Sequence, residues 1–231
     1  MPFFYDATYI LVLIGAVLSM IASAKVKSTY AKYAGVRSLT GMTGEEAARR
    51  ILSTAGIYDV RVQHVAGDLT DHYDPRNKTL NLSDTVYRST SVAAVGVAAH
   101  ECGHAIQHDR GYAPLKLRSA IVPVANFGAK ISWPLILFGL FLGGSPLLLE
   151  LGILCFSFAV LFQLITLPVE FNASSRAVKL LSETGILYEE ELQKTKKVLS
   201  AAALTYVAAA ASSLLQLLRL ILLFGNRRRN E

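Results

Sequence analysis

The chain is poor in cysteine and in charge, and both shortages restrict its class. It has two cysteines in 231 residues, too few for the disulfide-rich scaffolds of small secreted proteins, and Cys155 lies in an apolar run, so no disulfide is expected. Charged residues make up 17% and hydrophobic residues 52% of the chain, with a mean hydropathy of +0.40. This balance is too apolar for an ordinary soluble domain and indicates a membrane protein. The sequence contains no P-loop, glycine-rich dinucleotide motif or Ser-His-Asp pattern. The net charge of +6 suits anionic lipid headgroups, and nothing indicates nucleic acid.

Four hydrophobic runs are long enough to cross a membrane, which takes about 20 residues for about 30 Å of hydrocarbon. They cover residues 7–24, 119–142, 146–168 and 200–224. The first run has no basic residue before it and is followed by lysines, so it predicts an uncleaved anchor rather than a signal peptide. Alternating crossings place the two polar segments, 25–118 and 169–199, on one side of the membrane.

Basic residues flank the runs on that side, whereas the opposite loop at 143–145 has none. The positive-inside rule therefore predicts that the two polar segments lie at the cytoplasmic face of the cell membrane. The three arginines at 227–229 conflict with this prediction, because four spans would place them outside. A fourth run that is re-entrant or lies on the surface is the alternative.

The sequence His100-Glu101-Cys102-Gly103-His104 is an H-E-x-x-H motif within residues 92–108. Because positions four apart share one face of an α-helix, His100 and His104 are expected to bind one Zn²⁺, with Glu101 as the general base. The same letters also arise by chance on the solvated face of a helix. Here the neighbours are almost all apolar, so we expect a buried helix, in which these polar groups need partners. Cys102 lies off the histidine face and is expected in the core.

His108 lies four residues beyond His104 and is a further candidate near the metal. Metzincins continue with a glycine and a third histidine, but these positions hold Gln107 and Arg110, which excludes that class. We expect His108 either to contact a metal-binding residue without binding the metal itself or to lie at the rim of the site. As a fourth ligand, it would instead indicate a closed, structural metal site.

The third ligand is expected from another segment, because catalytic zinc has three protein ligands and one open position. Glu170 is the candidate. It follows Pro168, which is expected to break or kink the third hydrophobic run, and a carboxylate at the end of a membrane-spanning stretch is costly unless it is functional. The alternative is an interfacial glutamate paired with Arg176 or Lys179.

The polar insert at 25–118 contains further predicted elements. Thr43 and Glu46 form a capping box at the start of a helix, which Gly56 ends, and residues 58–65 alternate like a half-buried strand. Residues 69–73 and 79–82 predict a hairpin. The strand just before the metal-binding helix is expected to offer a free edge to an extended peptide; the alternative is a hairpin that only covers the helix.

Three side chains are candidates for stabilising the oxyanion of a tetrahedral intermediate, namely His72, Tyr73 and Arg176. Each can equally be an ordinary hydrogen-bonding residue.

We therefore expect a mainly α, multi-pass membrane protein with about four transmembrane helices and a small α+β zincin-like insert that carries the H-E-x-x-H helix. The expected segments are an N-terminal transmembrane anchor (1–24), the insert (25–118), two transmembrane helices (119–168), a helical segment with the third ligand (169–199), and a C-terminal transmembrane helix with a basic tail (200–231).

Five stretches resemble the YugP-like membrane neutral zinc metallopeptidases of bacteria: LTDHYDPRNKTLNLS, VAAVGVAAHECGHAIQH, GYAPLKLRSAIVPVANFG, LPVEFNASSRA and AALTYVAAA. The resemblance covers about residues 30–223 and implies a multi-pass membrane protein with zinc peptidase activity. The chain is more distantly similar to gluzincin membrane proteases of the Ste24 and HtpX type, whose E-x-x-x-D motif carries a zinc-binding glutamate. That glutamate matches Glu170, whereas the aspartate that steadies a ligating histidine matches Ser174. The resemblance leaves this steadying role to Ser174 or Asn172, through hydrogen bonds.

These observations predict a zinc metalloendopeptidase that hydrolyses peptide bonds of membrane or membrane-near proteins, with one Zn²⁺ per chain. A non-catalytic, zinc-stabilised membrane scaffold is the alternative from another class. An enzyme that cuts prenylated C-terminal peptides is a second alternative, disfavoured by the small number of spans. The sequence leaves a homo-oligomer open.

Overall fold

The structure is a computed structural model that describes residues 6–225, and this part of the chain is mainly helical. Its elements, in chain order, are α1 (Tyr9–Ala34), α2 (Gly44–Thr54), β1 (Arg61–His64), β2 (His72–Asp74), β3 (Thr79–Leu82), α3 (Asp84–Tyr87), α4 (Val92–Asp109), α5 (Ala113–Phe141), α6 (Pro146–Glu183) and α7 (Glu189–Phe224). The expected fold class is confirmed: along the chain, one long apolar helix precedes a small α+β insert and three follow it.

Four of the described helices, α1, α5, α6 and α7, are long and apolar enough to cross a membrane. The fourth hydrophobic run is part of the continuous helix α7, and the arginines at 227–229 lie outside the described residues. Helix α6 continues through Pro168 to Glu183, so the expected break does not occur. A proline removes one backbone hydrogen bond, and membrane helices tolerate this loss when their surroundings compensate for it.

The chain divides into two compact units. The sheet unit comprises Ala24–Lys116 and Pro168–Leu204, and the helical unit comprises the described remainder. In the helical unit, α5 and α6 approach closely because glycines leave room: a Cβ at Gly128 would lie 2.5 Å from the Cys155 carbonyl oxygen. Small residues serve the same purpose between membrane helices in general.

In the sheet unit, the predicted capping box, helix end and hairpin are all present. The Thr43 side chain accepts a hydrogen bond from the Glu46 amide while the Glu46 side chain accepts one from the Thr43 amide, which completes the capping box of α2. Gly56, just beyond the helix, has φ +77°, a conformation that glycine adopts without strain. The predicted hairpin is confirmed as the antiparallel pair β2–β3.

The sheet has the order β1-β3-β2, with β3 parallel to β1 and antiparallel to β2. The expectation that the strand just before the metal-binding helix has a free edge was therefore wrong. Strand β3 is central and fully buried, because β1 pairs with its other edge, on the side opposite β2. The outer edge of the hairpin belongs to β2.

Helix α4 lies in the core of the sheet unit and is buried along most of its length. Two glycines in it allow neighbouring helices to come close. A Cβ at Gly103 would lie 2.6 Å from the Ala173 carbonyl oxygen in α6, and a Cβ at Gly96 would lie 2.5 Å from the Thr195 methyl group in α7. The contact at Gly103 lies within the H-E-x-x-H motif, so it brings α6 against the helix surface that carries the histidines.

Candidate metal centre

His100 and His104 lie one turn apart on α4 and present their rings to the same region. The ring centroids are 4.8 Å apart and the planes are nearly perpendicular. Each side chain is 13% exposed, so both histidines are mostly withdrawn from water. A buried imidazole needs a polar partner for each nitrogen, which makes the surroundings of these rings informative.

Glu170 on α6 faces both rings. Its Oε2 atom lies 3.3 Å from His100 Nε2 and 3.5 Å from His104 Nε2, and its side chain is 3% exposed. Lys179, its alternative partner from the sequence, instead lies 3.6 Å from Glu183. The structure thus brings together the three residues that the sequence singled out as metal ligands.

The donor set suits zinc in kind and in spacing. Two imidazole nitrogens and one carboxylate oxygen are a ligand set of catalytic zinc sites. Two atoms bound to one tetrahedral zinc at about 2.0–2.1 Å are separated by about 3.3 Å, and the carboxylate oxygen of Glu170 lies 3.3 and 3.5 Å from the two imidazole nitrogens. His100, His104 and Glu170 also form a group whose ligand atoms all lie within 4.8 Å of one another. These residues could therefore hold one metal ion.

Gln107 determines which nitrogen of His104 is available. The Gln107 Nε2 atom donates to the Val169 carbonyl at 2.8 Å and to Asn172 Oδ1 at 3.0 Å, so its Oε1 atom is the one that faces His104 Nδ1, at 3.0 Å. An amide oxygen only accepts, and His104 Nδ1 must therefore carry the proton. The lone pair then lies on His104 Nε2, the nitrogen that faces Glu170.

Sequence reasoning missed this role of Gln107, since it considered the residue only as a departure from the metzincin motif. One signal was present in the sequence: a glutamine lies three residues after a metal-ligand candidate, on a helix expected to be buried, and side chains at this spacing meet.

The two residues proposed to replace the missing aspartate both enter the hydrogen-bond network. Ser174 Oγ lies 3.1 Å from His100 Nδ1. Asn172 does not contact a histidine directly; it accepts a hydrogen bond from Gln107, which in turn contacts His104. The Asn172 Oδ1 atom also accepts a 2.7 Å hydrogen bond from Arg176 Nε. The outer nitrogens of both histidines thus bond to polar side chains that fix the ring orientations.

Burial alone lowers the pKa of His104, but the hydrogen bond to Glu170 and the charge of Glu101 outweigh it and hold that pKa above its ordinary value of 6.5. The negative groups around the ring favour a bound cation, and a metal ion competes for the same position as the proton. The charge balance of the site is therefore suited to a metal.

Glu101 is buried beside His100 but is not one of the three residues in the metal-holding group. The neighbouring Cys102 thiol lies in the core, where it donates to the Ala48 carbonyl at 3.6 Å. Burial, with the nearby charge of Glu101, raises the pKa of this thiol well above its usual range. Glu101 is thus a carboxylate outside the group of potential metal ligands, and Cys102 does not supply a thiolate.

The remaining predicted site residues lie on the hairpin, at the end of α4 and on α6. The Tyr73 hydroxyl lies 2.9 Å from His108 Nδ1, and burial raises the Tyr73 pKa to about 12. His72 is exposed on β2, and its Nδ1 atom forms a 2.8 Å hydrogen bond with the Thr70 carbonyl. The structure does not bring His72 or His108 into the group formed by His100, His104 and Glu170, and Arg176 contacts Asn172.

Comparison with known sequences also indicates a zinc protein. Residues 8–225 match the family described as "Putative neutral zinc metallopeptidase". The chain belongs to this family. It is also 52% identical over 185 residues to the protein named "Putative membrane protease YugP" from Bacillus subtilis (strain 168), an overlap of 80% of this chain and 82% of that relative. No solved structure matches the chain.

Membership in the zinc metallopeptidase family, together with the four apolar helices, establishes a membrane protein and, at family level, a zinc protease. The expected family is confirmed.

Proposed function

We propose that this chain is a membrane-embedded, zinc-dependent endopeptidase of the gluzincin type. The observation that carries the proposal is the convergence of His100 Nε2 and His104 Nε2 on the Glu170 carboxylate, with the tautomer of His104 set by Gln107. In this proposal His100, His104 and Glu170 hold one Zn²⁺, which when bound supplies Lewis acidity toward water and the substrate carbonyl.

Glu101 is the proposed general base. It is buried beside the first ligand and is not needed to hold the metal, so its carboxylate can take a proton from the attacking water. As the peptide C–N bond breaks, the same carboxyl group returns the proton to the leaving amine. The oxygen of water thus enters the new acid, and the products are a carboxylic acid and an amine.

Tyr73 is the preferred oxyanion-stabilising residue among the candidates. Its hydroxyl is protonated at neutral pH, as a donor must be, like that of any tyrosine with a pKa of about 10 or above, and its partner His108 lies one turn beyond His104 on α4. Donors of this kind stabilise charge that develops in the transition state.

The proposed substrates are membrane or membrane-near proteins, cut at the cytoplasmic face. An extended peptide would add to the outer edge of β2 by backbone hydrogen bonds, which demand little of its side chains. The lysines beside the apolar runs support the cytoplasmic face through the positive-inside rule.

The group of three potential ligands also favours catalysis over the scaffold alternative. A structural zinc site has four protein ligands and no open position. His108, the candidate fourth ligand in that alternative, bonds to Tyr73 through its Nδ1 atom and is not part of the group of three.

The test compares Glu101→Gln with the parent protein, both reconstituted in lipid and assayed with a quenched fluorescent peptide library. We expect Glu101→Gln to retain one zinc per chain and to lose cleavage, because only the base is removed. Glu189→Gln, an exposed glutamate at the start of α7, is the matched control and should cut like the parent. Undiminished cleavage by Glu101→Gln would contradict the proposal.

A further inference from the structure

A lysine-lined cavity of about 530 Å³ lies between the end of α1 and the start of α7. All of its lining residues belong to the sheet unit. Lys25 and Lys32 line it from α1, and Lys196 and Lys197 line it from α7. Its volume lies within the roughly 300–1,000 Å³ that small-molecule sites occupy.

The positive charge in this cavity is not neutralised by the part of the protein that the structure describes. Among residues 6–225, no carboxylate lies within 4.0 Å of the ammonium group of any of the four lysines, and no acidic residue lines the cavity. Like charges around one cavity repel each other unless an anion lies among them. The cavity therefore has the charge of a binding site for an anion.

The walls are held in place by the core. Tyr33, beside Lys32, is buried among the core residues of the sheet unit. Thr195, which precedes Lys196, is fully buried and donates to the Val92 carbonyl at 3.0 Å. The buried faces of both helices are thus fixed, and the lysines project from their exposed faces.

The position of the lysines along the chain indicates which kind of anion the cavity would bind. Lys25 directly follows the first hydrophobic run, and Lys197 comes three residues before the fourth. Lysines at such positions extend their ammonium groups to the level of the lipid headgroups. The Ser200 hydroxyl adds a hydrogen-bond donor, and Ala201 and Leu204 give the cavity an apolar border next to the fourth run.

We propose that this cavity, the lysine cavity, binds the phosphate of an anionic glycerophospholipid headgroup, with the start of an acyl chain against Leu204. The cavity combines four lysine ammonium groups that have no carboxylate partner among residues 6–225, hydroxyl donors and an apolar border, which together match such a headgroup. This site is separate from the proposed peptidase chemistry, and its test needs no cleavage.

The experiment uses the full chain in phosphatidylcholine nanodiscs that contain a small fraction of spin-labelled phosphatidylglycerol. Electron paramagnetic resonance measures the immobilised label and hence the association of phosphatidylglycerol relative to labelled phosphatidylcholine. The test variant is Lys196→Gln/Lys197→Gln. The matched control is Lys27→Gln/Lys194→Gln, which removes the same number of charges, one from α1 and one from α7, but from residues that do not line the cavity.

We expect the test variant to lose about fivefold or more of the phosphatidylglycerol preference, since one lysine near an anionic surface contributes about that factor. The control should retain the preference. Lys196→Arg/Lys197→Arg keeps the charge and should retain most of it, which separates a lost ligand contact from a folding defect.

An equal loss of the phosphatidylglycerol preference in the test and control variants would show that the preference depends on the general surface charge and not on the cavity, and would overturn the proposal. An unchanged preference in the test variant would also overturn it. Displacement of the labelled lipid by millimolar inorganic phosphate would identify a site for free anions and contradict the lipid assignment.

Discussion

The substitution Gly103→Ala tests how the candidate metal centre is assembled. A Cβ at Gly103 would lie 2.6 Å from the Ala173 carbonyl oxygen and 3.0 Å from its Cα atom. These are backbone atoms of α6, so no side-chain rotation relieves the clash. One of the two helices must move, and the third candidate ligand, Glu170, lies less than one turn before Ala173 on α6.

The size of that movement follows from the contact distances. The 2.6 Å approach is about 0.8 Å shorter than the 3.4 Å at which ordinary contact begins. Metal–ligand distances tolerate only about ±0.2 Å, so we expect Glu170 to be displaced beyond bonding range. Zinc affinity should fall at least about tenfold, or about 1.4 kcal/mol, and overpacking should reduce the free energy of unfolding by about 1–3 kcal/mol.

The assay is zinc competition with a chelator of known affinity, alongside thermal unfolding of the metal-free protein. Gly35→Ala is the first control, since a Cβ there meets nothing within 4 Å. Gly96→Ala is the second: it overpacks the same helix, but against the Thr195 methyl group, so it should lose stability and keep zinc. Parent-like zinc affinity in Gly103→Ala would refute the role assigned to this close approach.

Three further outcomes are expected. Gln107→Leu removes the acceptor of His104 Nδ1 and should weaken zinc binding by about 10- to 100-fold in the same chelator assay; unchanged affinity would contradict its positioning role. Zinc affinity of the parent should fall as the pH is lowered, with onset above 6.5, because the raised pKa of His104 lets protons compete with the metal at that pH; an affinity that stays flat through neutral pH would contradict this. Thr43→Ala removes the side-chain acceptor of the capping box with Glu46 and should reduce the free energy of unfolding by about 1 kcal/mol in denaturant titration without changing zinc affinity; an unchanged midpoint would show that the cap contributes nothing.

Local features of this chain were readable from the sequence because neighbouring residues determine them. Helical spacing alone places His100 and His104 on one face, and the capping box needs only Thr43 and Glu46. The hydrophobic runs also identify the four long helices, since length and composition decide that property.

Features that depend on distant segments were not readable in the same way. The central position of β3 results from its parallel pairing with β1, which no local turn signal announces. The role of Gln107 depends on the Val169 carbonyl and Asn172 in another helix. Likewise, the sequence offers Glu170 as a carboxylate, but its approach to the histidines depends on the packing of α6 against α4, which Gly103 permits at Ala173.

Anomalous diffraction at the zinc edge, from crystals of the zinc-loaded full chain, tests the central claim most directly. The account predicts one zinc per chain, bonded to His100 Nε2, His104 Nε2 and a Glu170 carboxylate oxygen, with its fourth position not taken by a protein side chain. A zinc bound without Glu170, or enclosed by four protein ligands, would contradict it.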